Sequence, residues 1–214
     1  MFTPVSFTTK DGVTIVGQAE ELTQTRVALL LPMMPKTKES WEPFMKRLAE
    51  AHIGSLAIDL RGHGGSTMGG TLDYHSFFNK QHQESEADVQ AALDLLTSGG
   101  RSLSDIVMVG ASIGANLAIL LQSRHPELRR VVALSPGLDF RGVVTEPAVK
   151  SLTGEQKLLL IASDDDEASY RDAQQLHELN HTSTVWWPLA GLGHGTNMFE
   201  ADSGLMDRII EWIL

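Results

Sequence analysis

The chain contains 214 residues, of which 42% are apolar and 21% are charged, and its formal net charge is −10. This negative charge argues against nucleic acids and anionic membranes as electrostatic partners. The absence of cysteine excludes disulfides, a thiolate nucleophile and cysteine-ligated metals. The length predicts one domain over residues 1–214, with enough apolar residues for a large core.

The beginning of the chain and its apolar runs predict a cytoplasmic protein. Residues 1–12 contain no basic start followed by an apolar run, so we expect no secretory signal. Apolar runs such as residues 27–35 are far too short to span a bilayer. We therefore expect neither a membrane partner nor a membrane-spanning segment.

The first part of the chain predicts a β-hairpin, two buried strands and an amphipathic helix. The helix has one apolar face, formed by Trp41, Phe44, Met45 and Leu48. In chain order, the expected elements are hairpin strands at residues 2–9 and 13–20, a strand at 27–31, the helix at 40–52 and a strand at 55–59.

Apolar strands alternate with helices in the rest of the chain, a pattern typical of a parallel sheet with crossover helices. Only about twenty residues separate the expected strand at residues 131–134 from the one at residues 157–162, which is too few for a separate lid. We predict an α/β fold with about eight mostly parallel strands, helices on both faces and little or no cap. The expected helices are residues 84–97, 113–124 and 205–212, and the expected strands are 105–110, 131–134, 157–162 and 184–187.

A serine between two glycines joins the strand at residues 105–110 to the following helix, as Gly110-Ala111-Ser112-Ile113-Gly114. This G-x-S-x-G pattern is typical of a nucleophile elbow, a strained turn that exposes one hydroxyl above a sheet. A dinucleotide-binding turn would need glycine where Ser112 stands, and a phosphate loop would need Gly-Lys-Ser/Thr. A plain strand–helix turn with a capping serine fits equally well, so the elbow depends on a base and an acid elsewhere.

Three acidic residues follow the strand at residues 157–162, as Asp164-Asp165-Asp166. A carboxylate that orients a catalytic histidine belongs at the carboxyl end of such a strand. We interpret two of the three as caps of a helix that starts near Glu167, where the helix dipole favours negative charge. A magnesium or calcium site is a further alternative, although no supporting ligand cluster is visible nearby in the sequence.

His194 is the histidine best placed to act as a base. It lies between Gly193 and Gly195, on a loop of small residues and not on the apolar face of a helix. His63 belongs to a glycine-rich loop before the serine, which is the wrong chain order for this fold. The order serine, carboxylate, histidine, each just past a strand, favours the elbow over the plain turn.

With these motifs the chain resembles the α/β-hydrolase superfamily over nearly all of its length, and in particular a small carboxylesterase without a cap. Residues 59–66, Asp-Leu-Arg-Gly-His-Gly-Gly-Ser, are similar to the family's loop after its fourth strand. That loop is not catalytic in the family, so the resemblance implies a structural role for His63. Residues 134–139 and 193–195 also resemble segments of the family.

The resemblance implies a Ser-His-Asp triad. Ser112 takes the position of the nucleophile, His194 that of the base and Asp166 that of the acid. The family's acid lies three residues after a small residue that closes the strand. Counting from Ser163 gives Asp166, and counting one residue earlier gives Asp165, which stays the alternative.

The resemblance also implies an oxyanion hole made of the backbone amides of Met34 and Ile113. The family usually carries His-Gly before the first of these donors, and here Pro32 and Met33 stand in those positions. Because the donor is a backbone amide, the side chain of Met34 can vary. The loss of the glycine is expected to alter the backbone of this loop, and the methionine pair fits a core role or a pocket wall.

The function implied by the resemblance is hydrolysis of carboxylic esters through an acyl-enzyme intermediate. The expected partner is a small-molecule ester, small or short in its acyl group because a cap is missing, and neither a metal nor another cofactor is expected. A triad does not specify the leaving group, so a thioesterase, an amidase and a peptidase stay open. A hydrolase-like protein that binds a ligand without converting it also stays open, and the sequence does not specify the oligomeric state.

Overall fold

An eight-stranded sheet forms the centre of the protein, and a separate two-stranded hairpin lies beside it. The computed structural model describes residues 2–214. In chain order, the strands are β1 (Thr3–Thr8), β2 (Thr14–Glu20), β3 (Val27–Leu31), β4 (Gly54–Ile58), β5 (Ile106–Ala111), β6 (Arg130–Leu134), β7 (Asp139–Phe140), β8 (Val143–Val144), β9 (Lys157–Ser163) and β10 (Thr184–Leu189).

The strand order in the sheet is β1-β2-β4-β3-β5-β6-β9-β10. Strands β1 and β2 form the predicted antiparallel hairpin, and β2 also pairs antiparallel with β4. All pairs from β4 to β10 are parallel. The prediction of an eight-stranded, mostly parallel sheet is confirmed. It follows from the sheet order that the carboxyl ends of β3, β5, β6, β9 and β10 lie along one edge.

The helices connect successive strands and cover the sheet. Within residues 2–214, no helix is long and apolar enough to cross a membrane. In chain order, the α-helices are α1 (Glu42–Glu50), α2 (Asn79–Gln83), α3 (Glu86–Ser98), α4 (Ile113–Arg124), α5 (Glu146–Ser151), α6 (Glu167–Leu179), α7 (Asn197–Ala201) and α8 (Gly204–Ile213).

Alternate residues of each central strand enter two separate cores, one on each face of the sheet. In β3, Leu29 and Leu31 pack with α3, α4, α5 and α6, whereas Ala28 and Leu30 pack with α1, α7 and α8. Side chains alternate between the faces of a strand, so a strand covered on both faces is apolar throughout. This is why β3 reads as an unbroken apolar run, and the prediction of helices on both faces is confirmed.

The apolar face predicted for the first helix is fully buried, with Trp41, Phe44, Met45 and Leu48 all at 0% exposure. The helix is shorter than predicted because residues 38–41 form a separate 3₁₀ turn before α1 begins. Strand β10 extends two residues beyond its predicted end and includes Pro188. A proline is tolerated there because β10 is an edge strand, where one side of the backbone needs no partner.

Four short elements were not predicted: α2, the β7–β8 hairpin, α5 and α7. Each spans between two and six residues, too short for a helical or strand period to be visible in the sequence. The hairpin and α5 occupy the segment between β6 and β9, where only a short connection was expected. These two elements are the structure's only additions between those strands within the described residues.

Candidate active site

The candidate site lies at the edge where the parallel strands end. Ser112 follows β5, Asp166 lies three residues after β9, and His194 lies five residues after β10. Parallel strands present their carboxyl ends at the same edge, where open α/β sheets hold their sites. Strands β5, β6, β9 and β10 are neighbours in the sheet, so three residues far apart in the chain reach one region.

Ser112 has a strained backbone conformation, with φ 53° and ψ −119°. A positive φ is uncommon for a residue with a side chain, and such strain clusters at functional sites. Its amide donates to the carbonyl oxygen of Leu134, 2.9 Å away at the end of β6. Ser112 is half-buried, and its hydroxyl has no hydrogen-bond partner within residues 2–214. The turn thus holds an unpaired hydroxyl at the sheet edge.

The two glycines around Ser112 allow strand, helix and neighbouring loop to approach closely. A Cβ atom on Gly110 would overlap the carbonyl group of Gly114, and a Cβ atom on Gly114 would overlap the carbonyl oxygen of Leu31 and lie 2.7 Å from that of Pro32. Any side chain at either position would therefore force the backbone apart. The G-x-S-x-G spacing is a steric requirement of this junction.

His194 and Asp166 form a short hydrogen bond. The Nδ1–H of His194 donates to Oδ2 of Asp166 across 2.6 Å. The two side chains are 34% and 17% exposed, respectively. A carboxylate on Nδ1 fixes the histidine tautomer, so Nε2 is left as the nitrogen that can accept a proton.

The loop that carries His194 is held by the last residue of β9 and the residues that follow it. Asp164 accepts from the amide of Gly191 at 2.9 Å, Ser163 Oγ accepts from Leu192 at 2.8 Å, and Asp165 accepts from Gly193 at 3.1 Å. The hydrogen bond from Ser163 and the amide of Gly193 lower the pKa of the Asp165 carboxyl. Ser163 and the three aspartates therefore bind four successive positions of one loop, the last being His194.

Our interpretation of two of these acids as helix caps was wrong. Asp166 occupies the position before α6, but its side chain makes no capping hydrogen bond, because it binds His194 instead. Asp164 and Asp165 bind loop amides, as described above. The dipole of α6 favours negative charge before this helix, but the loop after β10 brings competing donors to the same carboxylates.

Ser135 connects the histidine loop to the centre of the sheet, and sequence reasoning gave it no role. Its Oγ accepts a hydrogen bond of 2.9 Å from the amide of Gly195, and the serine is fully buried with φ 50°. A Cβ atom on Gly195 would lie 3.4 Å from Ala111, the residue before Ser112. These contacts bring the loop of His194 against the turn of Ser112. A serine with positive φ just after β6 has no signature in the sequence.

Phe140 lies against His194, and sequence reasoning did not find it either. The two rings meet edge to face, with centroids 6.5 Å apart and planes at 80°. Phe140 comes from the β7–β8 hairpin, which packs on α4. An apolar ring beside His194 excludes water from one side of the imidazole.

Met34 and Ile113 carry the two amides predicted for the oxyanion hole. Neither amide has a hydrogen-bond partner within residues 2–214. The close approach of Gly114 to Pro32 places the loop after β3 against the first turn of α4, so both amides belong to one junction. Amides at the first turn of a helix have no intrahelical acceptor, which leaves that of Ile113 available.

The methionine that replaces the family's glycine is accommodated without left-handed backbone. Among residues 2–214, Met33 is not one of those with positive φ, so this position does not require glycine. Its side chain is 3% exposed and packs in the core between the sheet and α1, with its sulfur next to Gly195. The two methionines therefore have different roles. Met33 fills space in the core, and the half-buried Met34 forms part of a pocket wall.

The glycine-rich loop supports the site from outside. Asp59 is fully buried and accepts from the amide of Lys38 at 2.8 Å, from Lys38 Nζ at 2.9 Å and from the amide of Gly65 at 2.8 Å. These bonds fix the start of the 3₁₀ turn that follows Met34. His63 is 4% exposed and stacks on Tyr74 at 3.9 Å, and burial lowers its pKa.

Nothing in the described part of the chain forms a cluster of three or more histidine, aspartate or glutamate side chains able to hold a metal ion. The chemistry that the assembled groups can perform is proton transfer through His194 and nucleophilic attack by Ser112.

The fold and the strand-to-helix turn define the class of protein as an α/β hydrolase. Residues 29–185 match the family model described as serine aminopeptidase, S33. This match covers well over half of the chain, and the chain belongs to that family. The resemblance to the α/β-hydrolase superfamily is thereby confirmed. A search of curated proteins found no match to the chain.

Solved structures of several hydrolases share this fold. An esterase of Pyrococcus furiosus has a TM-score of 0.81 at 18% identity, covering 100% of this chain and 89% of that one. The esterase of Exiguobacterium antarcticum has a TM-score of 0.77 at 11% identity, with 99% of each chain covered. A serine hydrolase of Cycloclasticus zankles has a TM-score of 0.78 at 14% identity, with 98% and 96% covered. At these identities, the likeness concerns the fold alone.

Proposed function

We propose that this protein is a serine esterase that cleaves carboxylic esters through an acyl-enzyme intermediate. The observation that carries the proposal is the 2.6 Å hydrogen bond between His194 and Asp166, at the sheet edge where Ser112 has its strained backbone. A histidine oriented by a carboxylate, at the sheet edge that also holds an unpaired serine hydroxyl, supports activation of that serine as a nucleophile.

In the proposed reaction, Ser112 Oγ attacks the ester carbonyl carbon while Nε2 of His194 accepts the hydroxyl proton. The carboxylate of Asp166 holds the ring in the required tautomer and stabilises the imidazolium. The C–O bond to the alcohol then breaks, and His194 returns its proton to the leaving oxygen. Water, deprotonated by His194, hydrolyses the acyl-enzyme and regenerates Ser112.

The amides of Met34 and Ile113 are the proposed donors to the tetrahedral oxyanion. The lack of any partner for either amide within residues 2–214 supports this role. Donors that are held in place before the reaction stabilise developing charge without reorganisation, and one such donor typically contributes ~3–4 kcal/mol to lowering the barrier. The backbone of the loop after β3 therefore contributes directly to the proposed reaction.

Two observations bear on the substrate. The segment between β6 and β9 contains only the β7–β8 hairpin and α5, so the site is open and suits small or short-acyl esters. The family description names an aminopeptidase, so cleavage of the peptide bond after an N-terminal amino acid is the second candidate. Both reactions use the same nucleophile and differ only in the leaving group.

The experiment combines an activity panel with covalent labelling. We expect hydrolysis of short p-nitrophenyl esters, with less activity on long-chain esters and on aminoacyl p-nitroanilides. We also expect labelling of Ser112 by a fluorophosphonate probe. Ser112→Ala should abolish both hydrolysis and labelling without changing the melting temperature by more than a few degrees.

The matched control is Ser6→Ala, which removes an exposed hydroxyl from the edge strand β1 and should change neither readout. Preference for the anilides would favour the aminopeptidase. A folded protein that neither hydrolyses any of these substrates nor reacts with the probe would be a ligand-binding relative and would contradict the proposal.

A further inference from the structure

A cavity of about 260 Å³ adjoins the proposed hydrolytic centre. One wall is Met34, the residue whose amide is a proposed oxyanion donor, and Tyr74 and His75 form part of another. Two further side chains, His82 and Arg141, bring polar groups to it. We call this cavity the Arg141 pocket. Its shared wall with the oxyanion loop means that a group placed in it can belong to a bound substrate.

A tight turn presents Arg141 to this pocket. Arg141 and Gly142 connect β7 to β8 with φ values of 56° and 84°, the signs of a type I′ hairpin turn. That turn ordinarily takes asparagine, aspartate or glycine at the first position, so arginine is strained there. The amide of Gly142 donates to Oδ1 of Asp139 at 2.6 Å and closes the turn.

The same hairpin is linked to the catalytic histidine. Phe140, the residue immediately before Arg141, has the edge-to-face contact with His194. A single two-residue strand therefore carries a ring next to His194 and delivers the guanidinium to the neighbouring pocket. The hairpin fixes the backbone of Arg141 relative to the site, and the long arginine side chain can still adjust its position within the pocket.

The guanidinium of Arg141 has no ion pair and no hydrogen bond within residues 2–214. In the described chain, every arginine other than Arg129 and Arg141 pairs with a carboxylate or donates to a backbone carbonyl. An unpaired cation is notable because the protein carries a net charge of −10. No carboxylate among residues 2–214 pairs with Arg141.

The other side of the pocket offers a donor that does not compete with this charge. His82 is 3% exposed, and its ring has no hydrogen-bond partner within the described residues. Burial and the neighbouring Arg141 lower the pKa of His82, so the ring is neutral near pH 7 and can donate one N–H. The pocket thus combines one fixed positive charge with a neutral donor.

We propose that the Arg141 pocket binds a carboxylate of the substrate, so that the preferred substrates are short esters with a carboxylate a few atoms from the scissile carbonyl. The planar guanidinium matches a carboxylate through two parallel hydrogen bonds. One fixed cation balances one negative charge, whereas a dianionic phosphate would require more donors. This inference rests on the proposed esterase activity and specifies its substrate class.

The test compares esters that differ only in the charged group. p-Nitrophenyl glutarate, with a free carboxylate, is matched with p-nitrophenyl valerate, and the acetate ester of 4-hydroxybutanoate is matched with n-butyl acetate. The first pair carries the carboxylate in the acyl part and the second in the alcohol part. The assays are run at about pH 8, where His82 is neutral because burial and the neighbouring Arg141 lower its pKa.

We expect the wild-type protein to prefer the charged member of at least one pair. Arg141→Gln should lower kcat/KM for that ester about 10-fold and change kcat/KM for its neutral partner less than 2-fold. The matched control is Arg129→Gln, because Arg129 is also unpaired and exposed but lies before β6, at the opposite edge of the sheet. It should change neither ester.

Three results would overturn the inference. Arg141→Gln could lower both members of a pair equally, it could change neither, or Arg129→Gln could reproduce its effect, which would indicate general attraction of anions. Each of these results leaves the esterase proposal intact, since that depends on Ser112.

A binding measurement separates the pocket from catalysis. In ligand-observed NMR with the Ser112→Ala protein, glutarate should bind and 1,5-pentanediol should not, and adding Arg141→Gln should abolish the glutarate signal. If the wild-type protein hydrolyses no ester, the esterase proposal fails and this measurement alone decides whether the pocket binds a carboxylate. Glutarate binding that persists in the Arg141→Gln protein would contradict the inference.

Discussion

The Nδ1–H of His194 donates to Asp166 across 2.6 Å, whereas the adjacent Asp165 accepts a hydrogen bond from the amide of Gly193 in the same loop. Two neighbouring carboxylates therefore have different partners, an imidazole and a backbone amide. The difference arises because the loop after β10 runs alongside the aspartates, so that successive hydrogen-bond donors of the loop face successive carboxylates.

Asp166→Asn should abolish most of the proposed esterase activity while preserving the fold. The amide can donate to Nδ1 and so stabilise the tautomer with its proton on Nε2, which cannot accept a proton from Ser112. We expect kcat to fall about 10³–10⁴-fold, measured with short p-nitrophenyl esters. The loss should not be accompanied by a comparable rise in KM, because Asp166 does not face the substrate.

The neighbouring acid provides the control for this change. Asp165→Asn keeps an acceptor for the amide of Gly193, so we expect kcat within about 10-fold of the wild type, and a small loss of stability at most. Equal losses in the two variants would show that the acidic run acts as a unit on the loop and that Asp166 has no separate role at His194.

Much of the architecture could be predicted from the sequence because it depends on burial. Strand β3 was predicted with its observed bounds, since every one of its residues is buried and the run is apolar from end to end. The helix after Ser112 was also predicted with its observed bounds, 113–124. The order of Ser112, Asp166 and His194 was visible for the same reason, since each follows an apolar strand.

The supporting contacts could not be predicted, because they join residues whose local sequences say nothing about each other. Ser135 meets Gly195 only because the loops after β6 and β10 come together at one edge of the sheet, and Asp164 meets Gly191 across the β9–β10 pair. The β7–β8 hairpin has two residues in each strand, so no alternation is visible. The role of Phe140 depends entirely on that hairpin.

Ser135→Ala should weaken both the fold and the reaction. The change leaves the buried amide of Gly195 without its acceptor, at a cost of about 1–3 kcal/mol, and frees the loop of His194. We expect a lower free energy of unfolding in urea and a lower kcat with little change in KM.

Ser55→Ala is the matched control for Ser135→Ala. Ser55 is also fully buried, but its hydroxyl has no hydrogen-bond partner among residues 2–214, so its removal should be neutral or stabilising. If the two variants lost stability equally, the bond between Ser135 and Gly195 would contribute nothing specific.

Gly114→Ala tests the close approach of helix α4 to the loop after β3. The added methyl group would overlap the carbonyl oxygen of Leu31, so we expect either a loss of about 3 kcal/mol or more in stability or a shift of Met34 that lowers kcat. Gly99→Ala is the control, because a Cβ atom there meets nothing within 4 Å. Wild-type stability and activity in the Gly114→Ala protein would contradict the steric argument.

A buried arginine links the first hairpin, the glycine-rich loop and helix α3. Arg61 is 3% exposed, and its Nε donates to Asp88 at 2.9 Å while Nη1 donates to Asp11 at 2.8 Å. Burial raises the pKa of Asp88 to about 6, from an ordinary value of 3.8. The hydrogen bond from Arg61 lowers the pKa of Asp11 to about 2.

These opposite shifts give the two acids opposite effects on stability. Between about pH 4 and 6 the folded protein holds a proton on Asp88 more tightly than the unfolded chain does. The stability contributed by Asp88 therefore decreases as the pH rises through this range, by about 3 kcal/mol. For Asp11 the contribution is complete above about pH 4 and is lost as the pH falls towards 2.

Urea unfolding of the wild type, Asp88→Asn and Asp11→Asn between about pH 3 and 7 measures both effects. The difference in stability between wild type and Asp88→Asn should shrink from pH 4 to 6, and the difference for Asp11→Asn should grow from pH 3 to 4 and then stay level. Subtracting each variant from the wild type removes the titration of the other carboxylates, which the three proteins share. A difference for Asp88→Asn that grows with pH would mean that the attraction of Arg61 outweighs burial, so that Asp88 stays ionised throughout this range.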